Sequence, residues 1–174
     1  MHIPVLRGRA AEHELLGAVL ADAEAGRGAA LLLAGELGIG KSALLGDAAI
    51  RAGGFTVLRA AGVGEEAHLP YAGLAGLLEP LAVHIDQLAD AHRQALRRVL
   101  RGEGCPDAER LVLRLAVLAL LDAAARERPV LCCVDDVDLL DPASCDAVAF
   151  TARRLSHRRA AVLLASTADE WITG

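Results

Sequence analysis

The feature that most constrains this chain is the stretch from Gly35 to Ser42, which reads Gly-Glu-Leu-Gly-Ile-Gly-Lys-Ser. The pattern Gly-x-x-x-x-Gly-Lys-Ser predicts a loop whose backbone N–H groups surround phosphate oxygens. Glycines permit the sharp bend that this arrangement needs, because they carry no Cβ. We expect Lys41 to reach the β- and γ-phosphates and Ser42 to offer its hydroxyl to Mg²⁺. Residues 35–42 are called the phosphate loop below.

The sequence on both sides of the phosphate loop has the pattern that this motif requires, a strand before it and a helix after it. Residues 29–34 form an apolar run typical of a buried parallel strand. Residues 42–51 carry apolar side chains at helical spacing, and Gly53-Gly54 ends that helix. The candidate nucleotide-binding residues here are Gly35, Glu36, Leu37, Gly38, Ile39, Gly40, Lys41, Ser42 and Ala43, with Lys41 also a candidate catalytic residue.

Lys41 is the only lysine in the chain, and every other permanently basic residue is an arginine. This bias indicates a GC-rich genome rather than a physical requirement for arginine. The single lysine nevertheless stands where a compact ammonium is needed and a wide guanidinium fits poorly.

Composition limits the classes of function that this chain can serve. A length of 174 residues suggests one domain, and a net charge of −5 argues against nucleic-acid binding by this segment. The four cysteines fit no zinc-binding spacing, so we expect reduced, buried thiols in a cytoplasmic protein. The N-terminus lacks the pattern of a signal peptide, and no apolar run is long enough for a membrane span.

Hydrophobic periodicity predicts alternating helices and strands along the whole chain. Pro80 should kink or end a helix that starts at Tyr71. Asp141 should cap a helix that begins at Pro142. The other expected elements are a helix ending near residue 25, a strand at 55–60, a helix with a solvated arginine face at 89–101, a buried helix at 109–126, and strands at 129–134 and 160–166.

An acid pair, Asp135-Asp136, directly follows the apolar strand at 129–134. In open α/β sheets, ligands bind at the carboxyl ends of strands. A carboxylate near Ser42 can hold a metal-bound water, and a second acid can orient the attacking water. We therefore assign Asp135, with Ser42, to a magnesium site and Asp136 to catalysis. The alternative is that this segment only ends a strand and starts a turn.

Several of these segments together resemble the N-terminal ATPase module of large LuxR-type transcriptional regulators, which is similar to the Orc1-like AAA domain of signal-transduction ATPases. Besides the phosphate loop and the acid-ended strand, the resemblance rests on the following segments: Leu6-Arg7-Gly8-Arg9 with Glu12, Leu140-Asp141-Pro142-Ala143-Ser144, and Ala152-Arg153-Arg154-Leu155. It covers nearly the whole chain.

The resemblance implies a P-loop NTPase fold, a three-layer α/β sandwich with a mostly parallel sheet. It implies ATP and Mg²⁺ as ligands, with Gly8 and Arg9 lining the adenine pocket, Asp135 serving Mg²⁺ and Asp136 in the position of the catalytic acid. The family's sheet has five strands, and the sequence shows four. We therefore expect residues 1–174 to be a truncated AAA-type module without the fifth strand, the helical lid or the DNA-binding domain.

The chain also departs from the family pattern. Asp138 and Leu139 stand where many relatives have His or Gln and then Trp. Ala168 aligns with an arginine that often senses the γ-phosphate. Arg153 and Arg154 either act on a neighbouring molecule or simply end a helix.

Two functions therefore have to be weighed. The first is a nucleotide-dependent switch that binds ATP and Mg²⁺ with slow or absent hydrolysis and controls self-association or the other domains of a regulator. The second is an ATPase enzyme in which Asp136 orients the attacking water. Two alternatives stay open. In the first, the chain is a truncated or degenerate fragment without activity of its own. In the second, it is a small-molecule kinase, which would need an arginine-rich lid, and no such lid is recognisable between Lys41 and Asp135.

Overall fold

A computed structural model describes residues 10–167 of the chain. Six helices and four strands lie in this range, with three helices in succession between the second and third strands and with 3₁₀ segments between several of the elements. In chain order they are α1 (Ala10–Glu24), β1 (Ala29–Ala34), α2 (Lys41–Arg51), β2 (Thr56–Ala61), α3 (Ala72–Leu78), α4 (Asp90–Leu100), α5 (Arg110–Ala125), β3 (Val130–Asp135), α6 (Pro142–Ala152) and β4 (Ala160–Ser166). None of the helices within residues 10–167 is long and apolar enough to cross a bilayer.

The four strands form one sheet in the order β1-β4-β3-β2, and every neighbouring pair is parallel. The two central strands are β3 and β4, and all seven residues of β4 are buried. Continuous apolar strands of this kind are expected where helices cover both faces of a parallel sheet. The predicted α/β fold of the P-loop NTPase type is confirmed, and the sheet is entirely rather than mostly parallel.

Helices cover both faces of the sheet, so the molecule has three layers. Side chains alternate along β3: Leu131 and Cys133 pack against the α1–α2 layer, whereas Cys132 and Val134 pack against the layer that contains α3, α4, α5 and α6. This alternation is the period of two that a strand imposes on its side chains. Parallel pairing also brings the carboxyl ends of all four strands to one edge of the sheet.

Pro80 ends a helix as expected. Helix α3 stops at Leu78, and the chain continues as a 3₁₀ segment over Glu79–Gln87. A proline inside an α-helix lacks the N–H for the main-chain hydrogen bond and clashes with the preceding turn, so the regular helix cannot continue.

Two expectations about burial need correction. Leu111 and Leu115 of α5 are exposed, because this helix packs through one broad face and leaves these two side chains at its outer edge. Cys132 and Cys133 are buried as expected, whereas Cys105 and Cys145 lie in partly exposed loop and helix positions. Burial raises the pKa of Cys132 to about 12 and that of Cys133 to about 11.

Asp141 joins two helices that are far apart in sequence. Its carboxylate caps α6 by accepting the Ser144 N–H at 2.8 Å, as the sequence predicts. It also accepts the N–H groups of Tyr71 at 2.7 Å and Gly73 at 3.2 Å, where α3 begins. In addition, the Leu74 N–H donates a hydrogen bond to the Ser144 hydroxyl oxygen at 2.8 Å. One buried carboxylate, 3% exposed, therefore fixes the starts of α3 and α6 against each other.

Candidate functional site

The phosphate loop lies between the carboxyl end of β1 and the start of α2. Gly38 and Gly40 adopt left-handed conformations, with φ values of 81° and 92°, which other residues enter only at a cost. Gly40 is the N-cap of α2 and offers no side-chain hydrogen bond to the first turn. The N–H groups of that turn are therefore left to a ligand, and the positive end of the helix dipole favours an anion.

The ammonium group of Lys41 is held inside the loop by main-chain oxygens. Its Nζ donates to the Gly35 carbonyl at 2.6 Å and to the Glu36 carbonyl at 2.9 Å. The residue is only 7% exposed. These two carbonyls accept hydrogen bonds but carry no net charge, and the Asp136 carboxylate acts on the ammonium without an ion-pair contact among residues 10–167, so the buried charge is only partly compensated. An anionic ligand at the loop would supply the missing negative charge.

Ser42 and Asp135 line the same small cleft, which has a volume of about 120 Å³. Ser42 enters it from the first turn of α2, and Asp135 from the last residue of β3. Mg²⁺ prefers oxygen ligands and is commonly bound by one or two protein groups together with water and substrate phosphates. A serine and an aspartate in the lining of one small cleft match that requirement. No group of three or more His, Cys, Asp or Glu side chains suited to a metal occurs within residues 10–167.

Arg59 lines this same cleft and was missed by the sequence analysis. It lies in β2 and is exposed, with its backbone opposite Cys133 in the neighbouring strand. The available signal was an arginine within a strand whose other residues are small or apolar. Arg59 is the cationic residue among those that line the cleft with Ser42 and Asp135, so it gives the cleft a fixed positive charge.

Asp136, the second acid, has an unusual backbone conformation. Its φ of 44° and ψ of 50° place a non-glycine residue in the left-handed region, directly after Asp135. The Asp136 N–H donates to Asp135 Oδ1 at 3.0 Å, which closes the turn. Strain of this kind, on the order of 1 kcal/mol, often accompanies residues positioned for function.

Partial burial raises the pKa of Asp136, and the nearby negative charges of Asp135 and Asp138 raise it further. The ammonium of Lys41 opposes this shift. A carboxylate with a raised pKa accepts a proton more readily than an ordinary one, which suits a group that orients and activates water.

Asp138 links the acid turn to the end of β4. Its carboxylate accepts the Thr167 hydroxyl at 2.6 Å and the Thr167 N–H at 3.3 Å. Burial alone would raise the pKa of Asp138, but the hydrogen bonds outweigh it and lower that pKa. In this chain, Asp138 therefore fixes the acid turn to the strand that neighbours the phosphate loop.

The remaining candidate residues fall into two groups. Gly8, Arg9 and Ala168 lie outside the described residues, so their expected roles stay predictions. Arg153 and Arg154 follow the end of α6, and the guanidinium of Arg154 stacks over the ring of Phe150 at 3.6 Å. That stacking favours the interpretation that Arg154 stabilises the end of its own helix rather than acting on a neighbouring molecule.

The parallel sheet, the glycine-rich loop and the acid at the end of β3 together define a P-loop NTPase fold with its phosphate-binding elements. The sequence model of the AAA ATPase domain matches residues 5–164, and the chain therefore belongs to the AAA ATPase domain family. No curated protein matches the chain. Family membership identifies it as a nucleotide-binding module.

Proposed function

We propose that this chain binds ATP with Mg²⁺ and acts as a nucleotide-dependent regulatory module. The observation that carries the proposal is the cleft that is lined by both Ser42, at the start of α2, and Asp135, at the end of β3. Because Ser42 is also the last residue of the phosphate loop, a triphosphate held by the loop would bring its Mg²⁺ to the part of the chain where Ser42 and Asp135 would hold it.

In this proposal each group has a separate task. The N–H groups of the loop and the first turn of α2 hold the phosphate oxygens, and Lys41 leaves its carbonyl partners to contact the terminal phosphates. Ser42 and Asp135 hold the magnesium ion, which neutralises the negative charge of the phosphates. Arg59 contributes a further positive charge at the wall.

We further propose that hydrolysis is slow and depends on Asp136. Its strained turn fixes the carboxylate beside the loop, and its raised pKa makes it a better proton acceptor. Rapid phosphoryl transfer generally needs an additional arginine at the terminal phosphate. Slow turnover suits a switch, because the ATP-bound conformation then persists long enough to be recognised.

The regulatory context is a proposal that rests on the resemblance to LuxR-type regulators. We place the module in the cytoplasm, as the N-terminal part of a regulator that carries its DNA-binding domain in a later segment of the same protein. The reading frame that follows Gly174 in the genome tests this directly. An in-frame helix-turn-helix segment supports the regulator, and a different fused domain would contradict it.

Replacing Asp136 by Asn should remove most of the hydrolytic activity without weakening ATP binding. Asparagine keeps the shape and tolerates the left-handed backbone, but it cannot accept a proton. In the natural chain, hydrolysis needs the ionised carboxylate, so its rate should rise as the pH increases through the raised pKa. The midpoint of that rise should lie above about pH 3.9, because the ordinary pKa of an aspartate is about 3.9 and that of Asp136 is raised. Single-turnover release of phosphate from radiolabelled ATP measures both effects.

Asp138→Asn is the matched control, since it removes an equal charge two residues away, while the amide oxygen of asparagine can still accept a hydrogen bond from Thr167 and keep the acid turn in place. This variant should retain turnover, and the rise with pH should move to lower pH, because the charge of Asp138 helps to raise the pKa of Asp136. Undiminished turnover in Asp136→Asn would refute its assigned role. Turnover near the enzyme median of about 10 s⁻¹ would contradict slow hydrolysis.

A further inference from the structure

A second and larger cavity lies away from the phosphate loop, with a volume of about 680 Å³. It is enclosed by the segment before α3, the end of α4, the turn between α4 and α5, and the starts of α5 and α6. It shares no lining residue with the phosphate loop or with the cleft of Ser42 and Asp135. Three of its lining residues are arginines, Arg98, Arg110 and Arg114, and it is called the arginine cavity below.

The acidic groups of the arginine cavity already have partners. The carboxylate of Asp141 accepts three backbone N–H groups, as described above. Asp146 pairs with Arg114, and Glu103 pairs with Arg101 at 2.7 Å. None of these carboxylates therefore needs a cationic ligand.

Two of the arginines are held much less firmly. Arg98 lies 3.5 Å from Glu109, a long contact that contributes little. Arg110 pairs with Asp107, whose side chain is 88% exposed, so water screens this pair strongly. Both guanidinium groups can turn towards a ligand at small cost, and the arginine cavity consequently favours an anion.

The other lining residues include apolar and stiff ones, namely Pro70, Pro106, Pro142 and Tyr71. The phenol of Tyr71 interacts with Cys105, Arg110 and Asp146 of the same wall, which places its side chain at the cavity. Tyr71 is only 6% exposed, and its φ of 68° is rare for an aromatic residue. Its N–H bond to Asp141 maintains this conformation. Preformed pockets with an apolar wall and a few polar groups, at 300–1,000 Å³, are typical of small-molecule sites, as a rough range.

We propose that the arginine cavity binds a small organic anion, a carboxylate or a phosphate monoester that carries an apolar group. Arg98 and Arg110 contact the acidic group, and the apolar group lies against Tyr71 and the prolines. This site is separate from the proposed nucleotide site and does not depend on it.

Tyr71 provides a direct test, because it is the only tyrosine in the chain. Protein labelled with ¹³C-tyrosine gives one ring environment in an NMR spectrum, and that ring lies in the wall of the cavity. We would titrate the protein with 4-phenylbutyrate, phenyl phosphate and the neutral 4-phenylbutanol. We expect a saturable shift of the Tyr71 signal with at least one anion and a much weaker response to the alcohol. Whichever anion binds more tightly identifies the acidic group.

Variants locate the binding. Arg98→Gln with Arg110→Gln should weaken anion binding by at least about tenfold, because two charge-assisted hydrogen bonds are lost. Arg110→Gln alone should also weaken anion binding relative to the natural chain, and it carries little risk to the fold because the side chain is exposed. Arg93→Gln with Arg97→Gln, on the outer face of α4, is the matched control and should bind normally. Lys41→Ala should also bind the anion normally, which separates this site from the phosphate loop.

Three results would overturn the proposal. The first is the absence of a saturable Tyr71 shift with both anions. The second is equal binding of 4-phenylbutanol, which would show that charge plays no part. The third is unchanged anion binding in Arg110→Gln and in the double variant.

Discussion

Replacing Lys41 by Ala should lower the affinity for ATP by at least about a hundredfold while the chain still folds. The ammonium is the one side-chain cation inside the phosphate loop, and each charged hydrogen bond to a phosphate is worth about 1.5–3 kcal/mol. Among residues 10–167 the ammonium bonds only to two carbonyls of its own loop, so its loss should affect the core little. Titration with a fluorescent ATP analogue measures the affinity, and circular dichroism checks the fold.

Arg51→Ala is the matched control for this variant. It removes one positive charge from the other end of α2, where Arg51 pairs with Asp47 at 2.5 Å. ATP affinity should stay unchanged. If Lys41→Ala bound ATP as tightly as the natural chain, the phosphate loop could not be the nucleotide site.

Replacing Asp141 by Ala should lower the free energy of unfolding by about 4 kcal/mol. Three backbone N–H groups lose their acceptor, two of them in buried positions and that of Gly73 in a partly buried one, and each unsatisfied buried group costs about 1–3 kcal/mol. Tyr71 also loses the bond that holds its left-handed conformation. Since whole domains are stable by only about 5–15 kcal/mol, the loss should be obvious in urea denaturation followed by circular dichroism.

Two further variants sharpen this prediction. Asp141→Asn keeps one acceptor oxygen and should cost roughly half as much. Asp146→Ala removes an exposed carboxylate from the same helix and should cost less than about 1 kcal/mol. A loss of under about 0.5 kcal/mol in Asp141→Ala would show that Asp141 does not hold α3 and α6 together.

Local patterns were sufficient to predict most of the fold. The glycines and the lysine of residues 35–42, the break at Pro80 and the cap at Asp141 all depend on neighbours within a few residues. The order of the strands in the sheet is harder to predict from local patterns, because parallel pairing depends on contacts between distant segments. The sheet class was predictable from buried apolar runs between helices.

Features that depend on distant contacts were not predictable. The sequence predicts Asp141 as the cap of its own helix, but its bonds to Tyr71 and Gly73 span about 70 residues. The position of Arg59 in the cleft follows from the pairing of β2 with β3, which no local pattern specifies. The arginine cavity likewise forms only when α4, α5 and α6 pack together.

The central claim is that Ser42 and Asp135 hold the magnesium ion of a bound ATP. It is tested most directly by titrating ATP into the natural chain and into Asp135→Asn, each with Mg²⁺ and with a chelator. We expect Mg²⁺ to strengthen binding to the natural chain by at least about tenfold, and we expect Asp135→Asn to lose most of that gain. Equal affinity of the natural chain for ATP with Mg²⁺ and with chelator would contradict the account.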